Sequence, residues 1–378
     1  MKKNIRKRAL QLLFFIFLVY LIPLYWCSRE ARPLFNGDLD IQLRFSNGVE
    51  EWIETELGAE DFQTGFALFD GEWLFGTYMM AAMGFGQTAL EHPELRERNI
   101  ALMEKCIHIM LSQKVRSFDR RRWQEDPIDA LGGENAHVAY LGYLNLVLSL
   151  LRFLEPENQY ASLNDRITKH LVDLFSKSEI GLIETYPGEI YPIDNSAFIG
   201  SLGLYDRATG SDHSQWLHTW SEIIRARYLD SNTGLLVQSV SAKGEVIDGP
   251  RGSGTSFASY FLSYADSDLS TQLYNALHKE LFHSLGGWGA VREYPRGQNG
   301  LGDVDSGPLI FGYGISVTGM TLALSRIHRD EETFRNIYAT VYLLGAPLDR
   351  TGVRHFTPAG PIGDSILFAL VTAPRKEK

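Results

Sequence analysis

Two cysteines, Cys27 and Cys106, are all that 378 residues carry. One closes an apolar run and the other sits in a helical apolar pattern, so no disulfide framework exists and stability must come from a core. Basic charge is scarce as well: 36 Lys and Arg against 46 Asp and Glu leave a formal net charge of −10. With no basic stripe, nucleic acid is not an expected partner. Beyond the first thirty residues there is neither a second long apolar span nor a low-complexity linker. About residues 35–378 therefore form one large domain or two intimate ones. Familiar catalytic signatures are also missing. The ten histidines include no HExxH pair, and His213 and His218 fall off a single helical face. Arg251–Ser256 lacks the lysine and spacing of a phosphate loop, and Asp303 and Asp305 lack the Gly and Glu of an EF-hand. No G-x-S-x-G elbow is present, which argues against a serine esterase. Nothing in the chain calls for a metal or an organic cofactor.

What is present begins with Ala9–Cys27, nineteen residues without a charge, preceded by Lys2, Lys3, Arg6, Lys7 and Arg8. As a helix this run is roughly 28 Å long, close to the hydrocarbon thickness of a bilayer. No small-x-small cleavage site follows it, so an uncleaved anchor is preferred over a signal peptide. The expected organisation is a cytoplasmic basic tail at 1–8, a transmembrane anchor at 9–27, a linker at 28–40 and a catalytic domain at 41–378. The basic flank predicts a cytoplasmic N-terminus and a periplasmic or other extracytoplasmic domain.

Helical periodicity dominates the remainder. It predicts twelve helices, at about 41–57, 72–91, 97–112, 134–154, 158–176, 194–208, 213–228, 254–265, 269–284, 307–327, 330–343 and 361–372. One set is rich in Gly, Ala, Ser and aromatics and reads as buried all round. The alternate set is charged on one side and reads as half-solvated. This alternation predicts an all-α (α/α)6 toroid, an inner ring wrapped by an outer one. A short β-hairpin at Gly234–Ile247 interrupts it; a two-domain helical protein is the alternative architecture.

Parallel inner helices would gather the loops that precede them at one mouth, and those loops carry the chemistry. Asp70, Glu72 and Trp73 stand at the second helix, and Trp123, Glu125, Asp126, Asp129 and Glu134 before the fourth. The loop IETYPGEIYPIDNS brings Glu184, Glu189, Asp194, Tyr186, Tyr191, Asn195 and Ser196 to the sixth. Asp248, Arg251, Ser253 and Thr255 precede the eighth, and Arg292, Glu293, Tyr294, Asp303 and Asp305 the tenth. For most of these acids, capping is the plain role. Burial and helix termini can nevertheless move carboxyl pKa values apart and create an acid and a base. We expect Glu184 as the acid and Asp194 as the base or nucleophile, with Asp126 and Tyr143 the next catalytic candidates. Trp73, Trp123, Glu134, Tyr186, Tyr191, Asn195, Arg251, Arg292 and Asp305 are the expected substrate-binding set, the two tryptophans as a stacking wall.

Trp123–Leu146 and Gly181–Gly210, with fainter similarity in Phe75–Cys106 and Pro250–Leu262, resemble the linalool dehydratase/isomerase-like α/α-barrel family. The resemblance implies a toroid with its site at the inner-helix mouth. It also implies two active-site thiols where Glu184 and Asp194 stand here, and a histidine where this chain has Tyr143. Carboxylates in place of thiols favour general acid/base work on C–O bonds. Three readings follow. The first is a glycoside hydrolase or lyase acting on a glycan. The second is a hydro-lyase or isomerase of an isoprenoid or lipid-like alcohol, and the third a binding or assembly protein without catalysis.

Overall fold

The computed structural model describes residues 2–65, 67–303 and 306–376. Its N-terminal helical run comprises α1 (Lys2–Ile16), a π-helical turn at Phe17–Leu21, α2 (Ile22–Ser28) and α3 (Ala31–Phe35). The stretch Leu10–Phe35 is one helix long and apolar enough to cross a membrane. Its C-terminal end is built into the domain, contrary to the expected linker at 28–40. Ala31, Leu34 and Phe35 are buried, and Phe35 meets Phe334 edge-on at 5.3 Å. Glu30 accepts from the buried Arg354 at 2.8 Å and from Tyr338 at 3.2 Å.

The remaining helices are α4 (Leu39–Glu54), α5 (Ala67–Glu91), α6 (Arg96–Met110), α7 (Gln113–Trp123), α8 (Val138–Leu154), α9 (Ala161–Phe175), α10 (Pro192–Thr209), α11 (Ser214–Arg227), α12 (Gly252–Leu262), α13 (Ser267–Glu280), α14 (Ile315–Ile327), α15 (Glu331–Gly345) and α16 (Gly360–Val371). Helices α5, α8, α10, α12, α14 and α16 each pack on the next, and α16 returns to α5, closing a six-membered ring. Helices α4, α6, α9, α13 and α15 lean on this ring from outside, and α11 joins them through Trp216 against Phe175. The inner helices are buried almost all round because small residues let their backbones approach. A Cβ on Gly200 of α10 would stand 2.3 Å from the carbonyl oxygen of Phe261 in α12, and one on Gly203 2.4 Å from that of Tyr264.

The hairpin at Gly234–Ile247 is present as β1 (Val237–Val240) and β2 (Val246–Pro250), and three more accompany it. They are β3–β4 (Phe282–Leu285, Trp288–Val291), β5–β6 (Leu309–Ile310, Tyr313–Gly314) and β7–β8 (Pro347–Arg350, Val353–Phe356), all antiparallel. The expected helix at 307–327 starts only at Ile315, because Phe311 and Gly312 take positive φ and turn β5 into β6. Helix α7 was not expected, since its polar run QKVRSFDRRRW offers only Val115, Phe118, Asp119 and Trp123 to the interior.

At the end of the ring opposite the loaded loops, Arg326 of α14 is fully buried. It donates to both carboxylate oxygens of Glu91 on α5, at 2.7 and 2.6 Å, and to the carbonyl of Ala373. Removing one partner of such a pair strands the other charge. Arg326→Met should therefore lower the stability of the full chain in detergent by about 3 kcal/mol in a denaturant titration. A loss below about 1 kcal/mol would mean that this contact does not hold the ring closed.

Candidate active site

Inside the ring lies a cavity of about 1470 Å³ that opens where the inner helices begin. Most of its wall is apolar: Trp73, Met79, Met80, Phe257, Phe261, Met320, Ile362 and Ile366 are typical. Its polar side groups gather at the mouth and along α10. Among them are Glu72, Arg122, Tyr143, Tyr186, Glu189, Tyr191, Asp194, Asp248, Arg251, Ser253 and Asp303.

Nearly all the acids near the mouth are engaged. Glu189 pairs with Arg122 at 2.5 Å and accepts from the Tyr191 hydroxyl at 3.2 Å. The Arg122 guanidinium also lies 4.2 Å from the centroid of the Tyr186 ring, a cation–π contact. Tyr186 donates to Glu72 at 3.0 Å. Arg251 closes ion pairs with both Asp248 and Asp303. Burial raises the Asp303 carboxyl, but the hydrogen bonds from Ser306 and the charge of Arg251 outweigh it and hold it below its ordinary range.

Asp194 differs. It stands in the first turn of α10, behind Pro192, and the Tyr143 hydroxyl of α8 donates to its Oδ1 at 2.7 Å. Burial pushes its carboxyl up to about 6 from the ordinary 3.8, while hydrogen bonds from Tyr143 and Thr185 oppose that rise. A carboxyl so placed keeps its proton into weakly acidic solution, and its conjugate base has hydroxyl donors ready for it. The Tyr143 ring meets Phe261 edge-on at 5.4 Å, and Phe261 stacks on Phe257 at 6.0 Å. The acid thus adjoins an aromatic wall.

The other expected residues divide by position. Trp73, Tyr143, Tyr186, Tyr191, Asp194 and Arg251 line the cavity. Glu184 is not among its lining residues; its carboxylate accepts from the backbone N–H of Gly188 at 3.1 Å and closes the turn of its own loop. Asp126 is taken up by Arg116 at 2.8 Å and by the backbone N–H of Ile128. Trp123 meets His137 at a tilt, with ring centroids 4.6 Å apart, and Glu134 is exposed. Asn195 is buried and bridges both backbone groups of Ile183, at 2.9 and 3.1 Å, fixing the loop. Arg292 sits one layer back, 5.9 Å from the Tyr313 ring. Asp305 lies outside the described residues.

Glu72, Glu189, Asp248 and Asp303 were visible as loop acids, as were Tyr186, Tyr191 and Arg251 that partner them, but Arg122 was not. Arg122 lies in an arginine run that reads as a solvated helix face. The buried pair of His137 with Asp119, 2.5 Å apart, also carries no sequence signal.

Residues 139–325 match the family model for linalool dehydratase/isomerase. That span takes in Tyr143, the Glu184–Asp194 loop, Arg251 and Glu293, so the chain resembles this family through the part that builds the site. Among solved structures it is similar to a GH76 α-mannanase from Bacteroides thetaiotaomicron, at 11% identity over 80% of this chain and 84% of that one, with a TM-score of 0.46. It is also similar to a glycoside hydrolase of family 105 from C. acetobutylicum, at 12% identity over 78% and 92%, with a TM-score of 0.46. At these values neither similarity bears on the chemistry of this chain.

The raised Asp194 carboxyl has a consequence for stability. Its charged form is penalised in the folded state, so the protein loses stability as pH rises from about 4 to about 6 and carries the full cost, about 3 kcal/mol, above that. Asp194→Asn, which cannot ionise and keeps an acceptor for Tyr143, should melt higher than the parent at pH 8 and no higher at pH 4. Equal melting shifts at both values would contradict the placement of this proton.

Proposed function

We propose that the protein is a cofactor-independent hydro-lyase or isomerase that cleaves the C–O bond of an isoprenoid or other lipid-like alcohol, with Asp194 as the general acid. The observation that carries this reading is a protonatable carboxyl set against the aromatic wall of a largely apolar cavity. Asp194 delivers its proton to the substrate hydroxyl, the C–O bond breaks and water leaves. The hydroxyls of Tyr143 and Thr185 then stabilise the carboxylate that remains. Phe257, Phe261 and Trp73 present π faces to the positive charge that develops on carbon. The cavity exceeds the roughly 300–1,000 Å³ of an ordinary small-molecule site, which suits a long hydrocarbon chain.

A glycoside hydrolase or lyase would need a second carboxylate facing the substrate directly as nucleophile or base. The engagement of Glu189, Asp248 and Asp303 with arginines speaks against that use. We place the domain on the extracytoplasmic side of a membrane, held by the apolar N-terminal helix, because basic residues flank the N-terminal end of that helix.

The test offers detergent-solubilised full-length protein a panel of tertiary and allylic terpene alcohols and, separately, oligosaccharides and uronic-acid polymers. The expected result is alkene or isomerised alcohol from the first panel, detected by gas chromatography. Asp194→Asn should lower kcat by 10²-fold or more, the scale of general acid catalysis. Reducing ends released from the second panel, with no turnover of the first, would overturn the reading.

A further inference from the structure

Loss of water from an alcohol needs a group that takes a proton from carbon, and Asp194 supplies only the acid. A second proton-transfer unit lies at the start of α12, the inner helix next to α10. Ser253, in the first turn of α12, lines the same cavity. Its hydroxyl donates to Oε1 of Glu293 at 2.5 Å, and its backbone N–H donates to Oε2 at 3.2 Å. Glu293 itself is fully buried. It follows β4, and its backbone is fixed at both groups: the carbonyl accepts from the N–H of Gly252 at 2.8 Å and the N–H donates to Gly312 at 3.1 Å. The carboxylate is thus held behind the serine, one hydroxyl away from the cavity.

We propose that Ser253 and Glu293 form the proton-accepting relay of the reaction assigned above, with Ser253 facing the substrate and Glu293 positioned behind it as the final acceptor. This inference rests on that functional reading. After the C–O bond has broken, the C–H bond next to the cationic carbon gives its proton to Oγ of Ser253. The hydroxyl proton of Ser253 passes to Oε1 of Glu293, and the C–H electron pair forms the double bond. The substrate has then lost hydroxide and a proton, together one water. Asp194 ends as carboxylate and Glu293 as carboxylic acid, and exchange with solvent resets both.

The electrostatic surroundings fit an acceptor near neutrality. Burial pushes the Glu293 carboxyl up to about 7 and the charge of Asp303 adds to that rise, while the bonds from Ser253 and the charge of Arg251 oppose it. Tyr294, the next residue, feels the charge of Glu293 in turn. Arg251 is shared between Asp303 and Asp248, so its effect on Glu293 is divided. A carboxylate that merely capped α12 would be replaceable by any neutral acceptor. The relay requires one that ionises.

Glu293→Gln keeps an oxygen for both donors of Ser253 and separates the two roles. In dehydration assays the rising limb of the bell-shaped pH–kcat profile should vanish in Glu293→Gln, with kcat at least 100-fold lower and KM little changed. Ser253→Ala should fall comparably, and Ser253→Thr, which restores a hydroxyl, should recover most of the loss. A rising limb that survives in Glu293→Gln overturns the relay while leaving the functional reading intact. A readout independent of turnover is difference infrared spectroscopy of ¹³C-glutamate-labelled protein. A protonated-carboxyl band that disappears near pH 7, is absent in Glu293→Gln and is shifted in Ser253→Ala supports the relay. Its absence from the parent protein overturns it. Failure to turn over any alcohol overturns the functional reading and the relay with it.

Discussion

The ring stays closed because one buried guanidinium cannot be left without its carboxylate. Arg326 of α14 reaches Glu91 at the far end of α5 and the chain leaving α16, so three neighbouring inner helices meet at one charge. Gln42 donates to the same carboxylate from the outer helix α4 at 2.8 Å. With the closed end tied by charge, the open end is free to place its acids for chemistry rather than for support. The close backbone contacts at Gly200 and Gly203 then fix α10 against α12, the two helices whose first turns hold Asp194 and Ser253.

At the open end the acids are graded by their company. Near the rim, Glu189 meets Arg122, and Asp248 and Asp303 share Arg251; Ser306 and Arg251 together hold the Asp303 carboxyl below its ordinary range. Those set deeper meet hydroxyls, and burial raises them: Asp194 to about 6 and Glu293 to about 7. A hydroxyl partner compensates a buried carboxylate only in part, so the deeper groups lie within reach of protonation near neutral pH. The separation of pKa values that acid/base work requires therefore comes from depth and from the identity of the donor, not from the number of acids.

The toroid was legible because burial on an inner ring and half-burial on an outer ring leave different residue patterns. Glu134–Leu154 and Pro308–Leu324 read as buried, Tyr160–Phe175 and Asp330–Leu343 as amphipathic. Short strands leave no such trace. The hairpins turning at Gly286–Gly287 and Gly352 are four-residue strands with mixed burial, and β5–β6 hid inside an apolar stretch that reads as helix. The mouth of the barrel was legible as a set of loops, but the direction of each side chain was not. Glu184 and Asp194 both read as acid/base candidates of one loop, yet one closes a turn on Gly188 and the other faces the cavity from the first turn of a helix. Pairing was equally hidden, since Arg122, 67 residues from Glu189, decides what that acid can do.

The central claim is that the hydroxyl of a lipid-like alcohol sits against Asp194. The most direct measurement is a crystal structure of the protein with a saturated, unreactive long-chain alcohol bound. The account requires its oxygen within hydrogen-bond distance of Asp194 and its chain along the wall formed by Trp73, Phe261 and Ile366. An alcohol oxygen bound instead to Arg251 and Asp303 at the rim, or a cavity occupied only by solvent at saturating ligand, would contradict it.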